Sequence, residues 1–122
     1  KMRVWFYKEL SQTSLESFEG FLKKTRNLFG RFPLELKNLV GLRRVFLLSQ
    51  VLFFSKVALK DNYIVVFPVV SFWEKKSSVL INSLSDLGFV FIEGGEGFKV
   101  PCLDNNFFII FDKIYNRLHH AL

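Results

Sequence analysis

Two apolar runs dominate this chain: Val45 to Phe54, broken by Ser49 and Gln50, and Tyr63 to Trp73, broken by Pro68. Neither approaches the roughly 20 apolar residues that a helix needs to cross a bilayer. Their apolar surface therefore has to be buried in a folded core or against a partner. The demand is large, because half of the residues are hydrophobic and the mean hydropathy is +0.24. A chain of 122 residues is long enough to build a real core but too short for two domains of ordinary size. With a single cysteine, Cys102, there is no intrachain disulfide, and Cys102 itself is expected to be a small buried hydrophobe.

The net charge of +6 is unevenly placed. Between 23 and 60, Lys23, Lys24, Arg26, Arg31, Lys37, Arg43, Arg44, Lys56 and Lys60 face only Glu35, so this stretch of nine bases and one acid carries +8. Residues 1 to 22 are neutral, and residues 61 to 122 are slightly acidic. Such a cluster repels itself unless a polyanion neutralises it, and that is the electrostatic footprint of a nucleic-acid site. The nine bases are the expected RNA-binding residues. Anionic lipid headgroups would share the same electrostatics.

Residues 2 to 7 read as a first strand, with Met2, Val4 and Phe6 on one face and Arg3, Trp5 and Tyr7 on the other. Thr13 and Glu16 have the spacing of a capping box ahead of a helix carrying Leu15, Phe18, Phe21, Leu22 and Leu28, which Gly30 closes. A second strand is expected from Phe32 to about Ser49, interrupted at 38–41, followed by a turn over 55–62. The third strand spans 63–70, with Pro68 marking an edge or a bulge. Ser71 and Glu74 repeat the capping spacing before a second helix that stops at Gly88. A fourth strand follows over 89–93, then a glycine-rich turn over 93–97 and two further apolar pieces, 98–100 and 107–111. The resulting order is β-α-β-β-α-β. The expected fold is α+β and ferredoxin-like (split β-α-β): an antiparallel sheet with two helices on one face over 1–93, and a C-terminal extension over 94–122 with an extra strand and a short helix.

Catalytic constellations are absent from the pattern. His119 and His120 are adjacent near the C-terminus without metal-ligand spacing. EGGEG at 93–97 has neither a P-loop nor a dinucleotide order, and its glutamates would repel phosphate. No enzyme, metal or cofactor is expected. Trp5 and Tyr7 would suit base stacking if strand one exposed them, although aromatic side chains on strands are more often packed than stacked.

The chain resembles small-subunit ribosomal protein ten over about residues 2 to 93. The similarity is carried by RVWFYKEL and FLKKTRNLFG, by Pro33 and Leu34 in RFPLELKN, by RRVFLLS, and by EKKSSVLINSLSDLGFVFIE with Glu74, Lys75, Leu80 and Gly88. VVFPVVSF, LGFVFIEG and FFIIFDKIY are also similar to the N-terminal half of small-subunit ribosomal protein eight. Either resemblance implies a structural constituent of a small ribosomal subunit, bound to ribosomal RNA and to neighbouring ribosomal proteins. The sixteen phenylalanines beside only Ala58 and Ala121 fit AT-rich codon bias, and no Arg-rich leader or signal-peptide pattern stands at the start; the expected location is the mitochondrial matrix, with encoding in the organelle. The alternative is a non-catalytic accessory subunit of an organellar membrane complex.

Overall fold

The structure is a computed structural model that describes residues 2–94 and 96–122, with the side chains of Met2, Arg3 and Phe29 left aside. Gly95, within the turn expected over 93–97, lies outside the described residues. The chain divides into two compact units, one up to Leu48 and one from Ser49 to Leu122.

The first unit is helical: α1 spans Met2–Ser11, α2 Leu15–Phe29 and α3 Leu34–Val51, whose last residues belong to the second unit. Phe6 and Leu10, one helical turn apart on α1, are buried with Phe18 and Leu22 of α2, Phe32 and Leu47. Trp5, Phe21, Leu36, Leu39 and Val40 are half-buried around them. The rings of Phe6 and Phe32 meet edge to face at 5.5 Å. The capping box of α2 lies one residue later than Thr13 and Glu16 would place it. The Ser14 hydroxyl accepts the Ser17 N–H at 3.2 Å, and the Ser17 hydroxyl accepts the Ser14 N–H at 2.9 Å. Gly30, with φ +76, ends the helix and donates its N–H to the Arg26 carbonyl at 2.8 Å.

Two expected strands are therefore helices. Over 2–7 the alternation MRVWFY suits a strand, but Phe6 and Leu10 at i and i+4 offer an apolar stripe to α2, and burial overrides the local β preference. Over 32–49 the alternation at 34–37 is outweighed by Leu36, Leu39, Val40 and Leu47, which recur at helical spacing. Pro33 stands just before α3, where a missing N–H costs nothing, and its carbonyl accepts the Lys37 N–H at 3.0 Å. With α1, α2 and α3 in succession, the β-α-β-β-α-β order of a ferredoxin-like fold is not the order observed; the class is α+β.

The second unit holds one sheet, of order β1-β2-β4-β3 with every pair antiparallel. β1 spans Phe54–Lys60, β2 Tyr63–Pro68, β3 Val90–Phe91 and β4 Phe98–Pro101. The expected turn over 55–62 narrows to Asp61 and Asn62, both at positive φ (53° and 63°), the conformation of a two-residue hairpin loop. β2 lies inside the sheet rather than at its edge; the irregularity that Pro68 signals is a register shift in its partner, between Phe54 and Lys56. The single helix expected after residue 71 is three pieces: α4, Val70–Trp73; α5, Ser77–Leu84; and a 3-10 turn, Ser85–Leu87, which Gly88 closes at φ +83. Trp73, at the end of α4, donates its indole N–H to the Leu52 carbonyl at 2.8 Å. The expected short helix near 107–111 is the long α6, Phe107–Ala121. β4 and α6 belong to the second unit, with no division at residue 93.

The core of this unit follows from strand alternation. Ile64, Val66, Phe98 and Val100 point to one face of the sheet and are buried. Leu80 and Leu84 of α5, and Phe111, Ile114 and Leu118 of α6, are buried too, and α5 and α6 pack together. The other face of the sheet carries no such burial. Among the described residues, no helix is long and apolar enough to cross a membrane.

Candidate nucleic-acid interfaces

The nine predicted bases divide between the two units. Lys23, Lys24 and Arg26 lie on α2, Arg31 in the connection that follows, and Lys37, Arg43 and Arg44 on α3; Lys56 and Lys60 lie on β1. Within the first unit, Lys23, Lys24, Arg31 and Lys37 are exposed, and among the described residues none of them is bound to a carboxylate. Lys23 and Arg26 line a shallow hollow of about 390 Å³ on α2 together with Glu19 and Asn27. Arg26 also sits over the Phe32 ring, 5.8 Å from its centroid.

Arg43 has a different occupation. It is half-buried and donates from Nη2 to the Thr13 carbonyl at 2.5 Å and from Nε to the Thr13 hydroxyl at 3.3 Å, while its guanidinium lies 5.0 Å from the Phe46 ring centroid. The Thr13 hydroxyl in turn donates to the Leu10 carbonyl at 2.7 Å. These bonds tie the α1–α2 connection to α3, so Arg43 is committed to the fold. Arg44 is half-buried as well.

In the second unit, Lys56 and Lys60 point to the uncovered face of the sheet. Register carries the rest of that face: Lys56 stands opposite Phe67, Ala58 opposite Val65, Lys60 opposite Tyr63, and Val65 in turn opposite Lys99. Together they line an open hollow of about 670 Å³. Lys99 Nζ lies 4.3 Å from the centroid of the Tyr63 ring, and Lys56 Nζ 6.0 Å from that of Phe67. Lys99 was missed in the sequence because it lies in the stretch assigned to an extension; the alternation Phe98-Lys99-Val100 is the signal that would have found it. Trp5 and Tyr7, the pair considered for base stacking, are on α1, where Trp5 packs against Phe21 at 6.3 Å.

The remaining candidates lie apart. Cys102 is buried; burial raises its thiol pKa and the Asp104 carboxylate adds to the rise, so it stays protonated at neutral pH. His119 and His120 are exposed on α6, where His119 stacks on Tyr115 at 5.2 Å. Among the described residues, no three His, Cys, Asp or Glu side chains come together as a metal site.

No family model matches the chain, and no curated protein matches its sequence. Its fold is similar to the crystal structure of the C-terminal domain of a transcription-repair coupling factor, with a TM-score of 0.76, 16% identity, and coverage of 97% of this chain and 79% of that one. At that identity the likeness is one of fold.

Proposed function

We propose that this chain is a binding domain without catalytic chemistry of its own, working in a transcription-repair coupling factor as the counterpart of the domain whose fold it shares, and that the cations of its first unit meet nucleic-acid phosphate there. The observation that carries this reading is the shared fold over nearly the whole chain. The surface chemistry agrees with it: Lys23, Lys24, Arg31 and Lys37 are presented on a helical scaffold without acidic partners among the described residues, which is how a phosphate-binding surface is built. If about four phosphates are contacted, affinity for duplex DNA falls on the order of 100-fold between 50 and 200 mM salt. Removing this segment from its gene and measuring repair of the transcribed strand after ultraviolet damage tests the setting. Repair at the undeleted rate refutes it.

The ribosomal reading keeps one supporting observation, the same exposed cations, which would neutralise ribosomal RNA equally well. The motifs behind it, RVWFYKEL and RRVFLLS, fall on α1 and α3, where the resemblance called for strands. Gradient sedimentation of the tagged protein from cells decides between the two: co-migration with a small ribosomal particle favours the ribosome, and its absence favours the coupling factor.

A further inference from the structure

The geometry points to a second, separate binding site: the uncovered sheet face of the second unit is a stacking platform for a single strand of nucleic acid. Tyr63 and Phe67 project from the same face of β2, four residues and therefore about 13 Å apart along the strand. Both are only half-buried although they sit in the middle of a sheet. Lys60 stands opposite Tyr63 across the β1–β2 pairing, while Lys99 Nζ lies over the Tyr63 ring and Lys56 Nζ over that of Phe67, so a base that stacks there swings these two flexible ammoniums aside, towards its phosphates. Flat rings on a four-stranded antiparallel sheet, with cations beside them, are the combination by which splayed bases and their phosphates are held. The other face of the same sheet is buried, which fixes the alternation and so the outward direction of these side chains.

The occupant follows from the chemistry. A duplex keeps its bases inside and gives exposed rings nothing to stack on. An acidic peptide would engage the lysines but leave the rings without a planar partner. Asp61 and Glu93 also line the hollow, so three lysines face two carboxylates and the surplus of positive charge is small. Binding energy on this face therefore comes mainly from stacking, and its salt response is shallow, at most about 0.7 in log–log slope for each lysine that meets a phosphate. The assignment uses only the second unit's own surface and fails or stands apart from the reading of the first unit's cations.

The test is fluorescence anisotropy of the whole chain with a short labelled oligothymidylate at about 200 mM salt, where binding through the exposed cations of α2 and α3 is already suppressed. The expected result is that the double substitution Tyr63→Ser, Phe67→Ser weakens binding about tenfold or more. Asn116→Ser, on the exposed side of α6, leaves it within about twofold, and an unlabelled duplex of the same length competes poorly. Because the two serines could disturb the sheet, the unaltered protein is also photocrosslinked to a bromouracil-containing oligonucleotide, with adducts expected on β2. Four results overturn the proposal: no binding at this salt concentration, unchanged affinity in a folded double variant, adducts confined to the first unit, or displacement by oligoglutamate as effective as by unlabelled oligothymidylate.

Discussion

Replacing Arg43 separates a base that holds the fold from bases that face outward. Arg43 gives the Thr13 carbonyl a charged hydrogen bond of 2.5 Å and the Thr13 hydroxyl a longer one of 3.3 Å, and Thr13 is buried. A hydrogen bond from a charged donor contributes about 1.5–3 kcal/mol, and the longer bond adds less. Part of this is offset because Arg43 is only half-buried and water can approach the stranded carbonyl. The expected loss for Arg43→Met, which keeps much of the aliphatic stem, is about 2 kcal/mol. With a urea dependence of about 2 kcal/mol per molar, the midpoint falls by roughly 1 M. Hydrogen exchange of peptides from α1 and α2 during the titration confines the readout to the first unit. Arg43→Lys falls in between, because an ammonium cannot reproduce the two-pronged geometry. Lys24→Ala, on the exposed side of α2, changes stability by no more than about 0.5 kcal/mol. An Arg43→Met midpoint indistinguishable from that of the parent would show that the Thr13 bonds do not hold α3 to the α1–α2 connection.

Other consequences are as direct. A methyl group on Gly97 would lie 2.6 Å from the Val66 carbonyl oxygen and 3.0 Å from the Phe67 ring, so Gly97→Ala costs about 1–3 kcal/mol, read as a lowered melting temperature; an unchanged one refutes the close approach. Trp73→Phe leaves the Leu52 carbonyl without its indole donor and costs about 1–3 kcal/mol, measured by chemical denaturation. The Cys102 thiol, with its pKa raised by burial and by Asp104, reacts slowly with disulfide reagents at neutral pH until the chain is unfolded. Because its folded value lies above its unfolded one, the associated stabilisation is complete below the ordinary value of 9.0 and is lost as pH rises through the folded value, which alkaline melting curves would register.

What could be read from the letters was mostly the punctuation and three strands: β2, β3 within the expected 89–93, and β4 where an extra strand was expected at 98–100. Gly30 and Gly88 end helices at positive φ, and β2 lies within the strand expected over 63–70, ending at Pro68, because Ile64 and Val66 alternate with residues of the other face. The failures have two causes. In α1 and α3 the local pattern allowed two periods, and only the presence of α2 beside them selects the helical one; α3 even tolerates Gly41 in its interior, at a cost of about 1 kcal/mol relative to alanine. In β1 the polar letters Ser55, Lys56 and Lys60 read as a turn, yet outward lysines are ordinary on an edge strand, where they discourage pairing with another chain. The basic cluster was visible as a run of charge. Its division between two units, and the committed role of Arg43, depend on pairings across long sequence distances that spacing does not encode.

The sheet consists of two short-range ribbons, β1–β2 and β3–β4, joined along the β2–β4 seam, and Gly97 lies directly beside that seam. Each ribbon can close on itself within about 1–10 μs, whereas the seam has to wait until the whole stretch between β2 and β4 has been drawn in. Assembly of the sheet is thus limited by a single long-range zippering step, and any side chain added at residue 97 would slow that step while leaving both ribbons free to form.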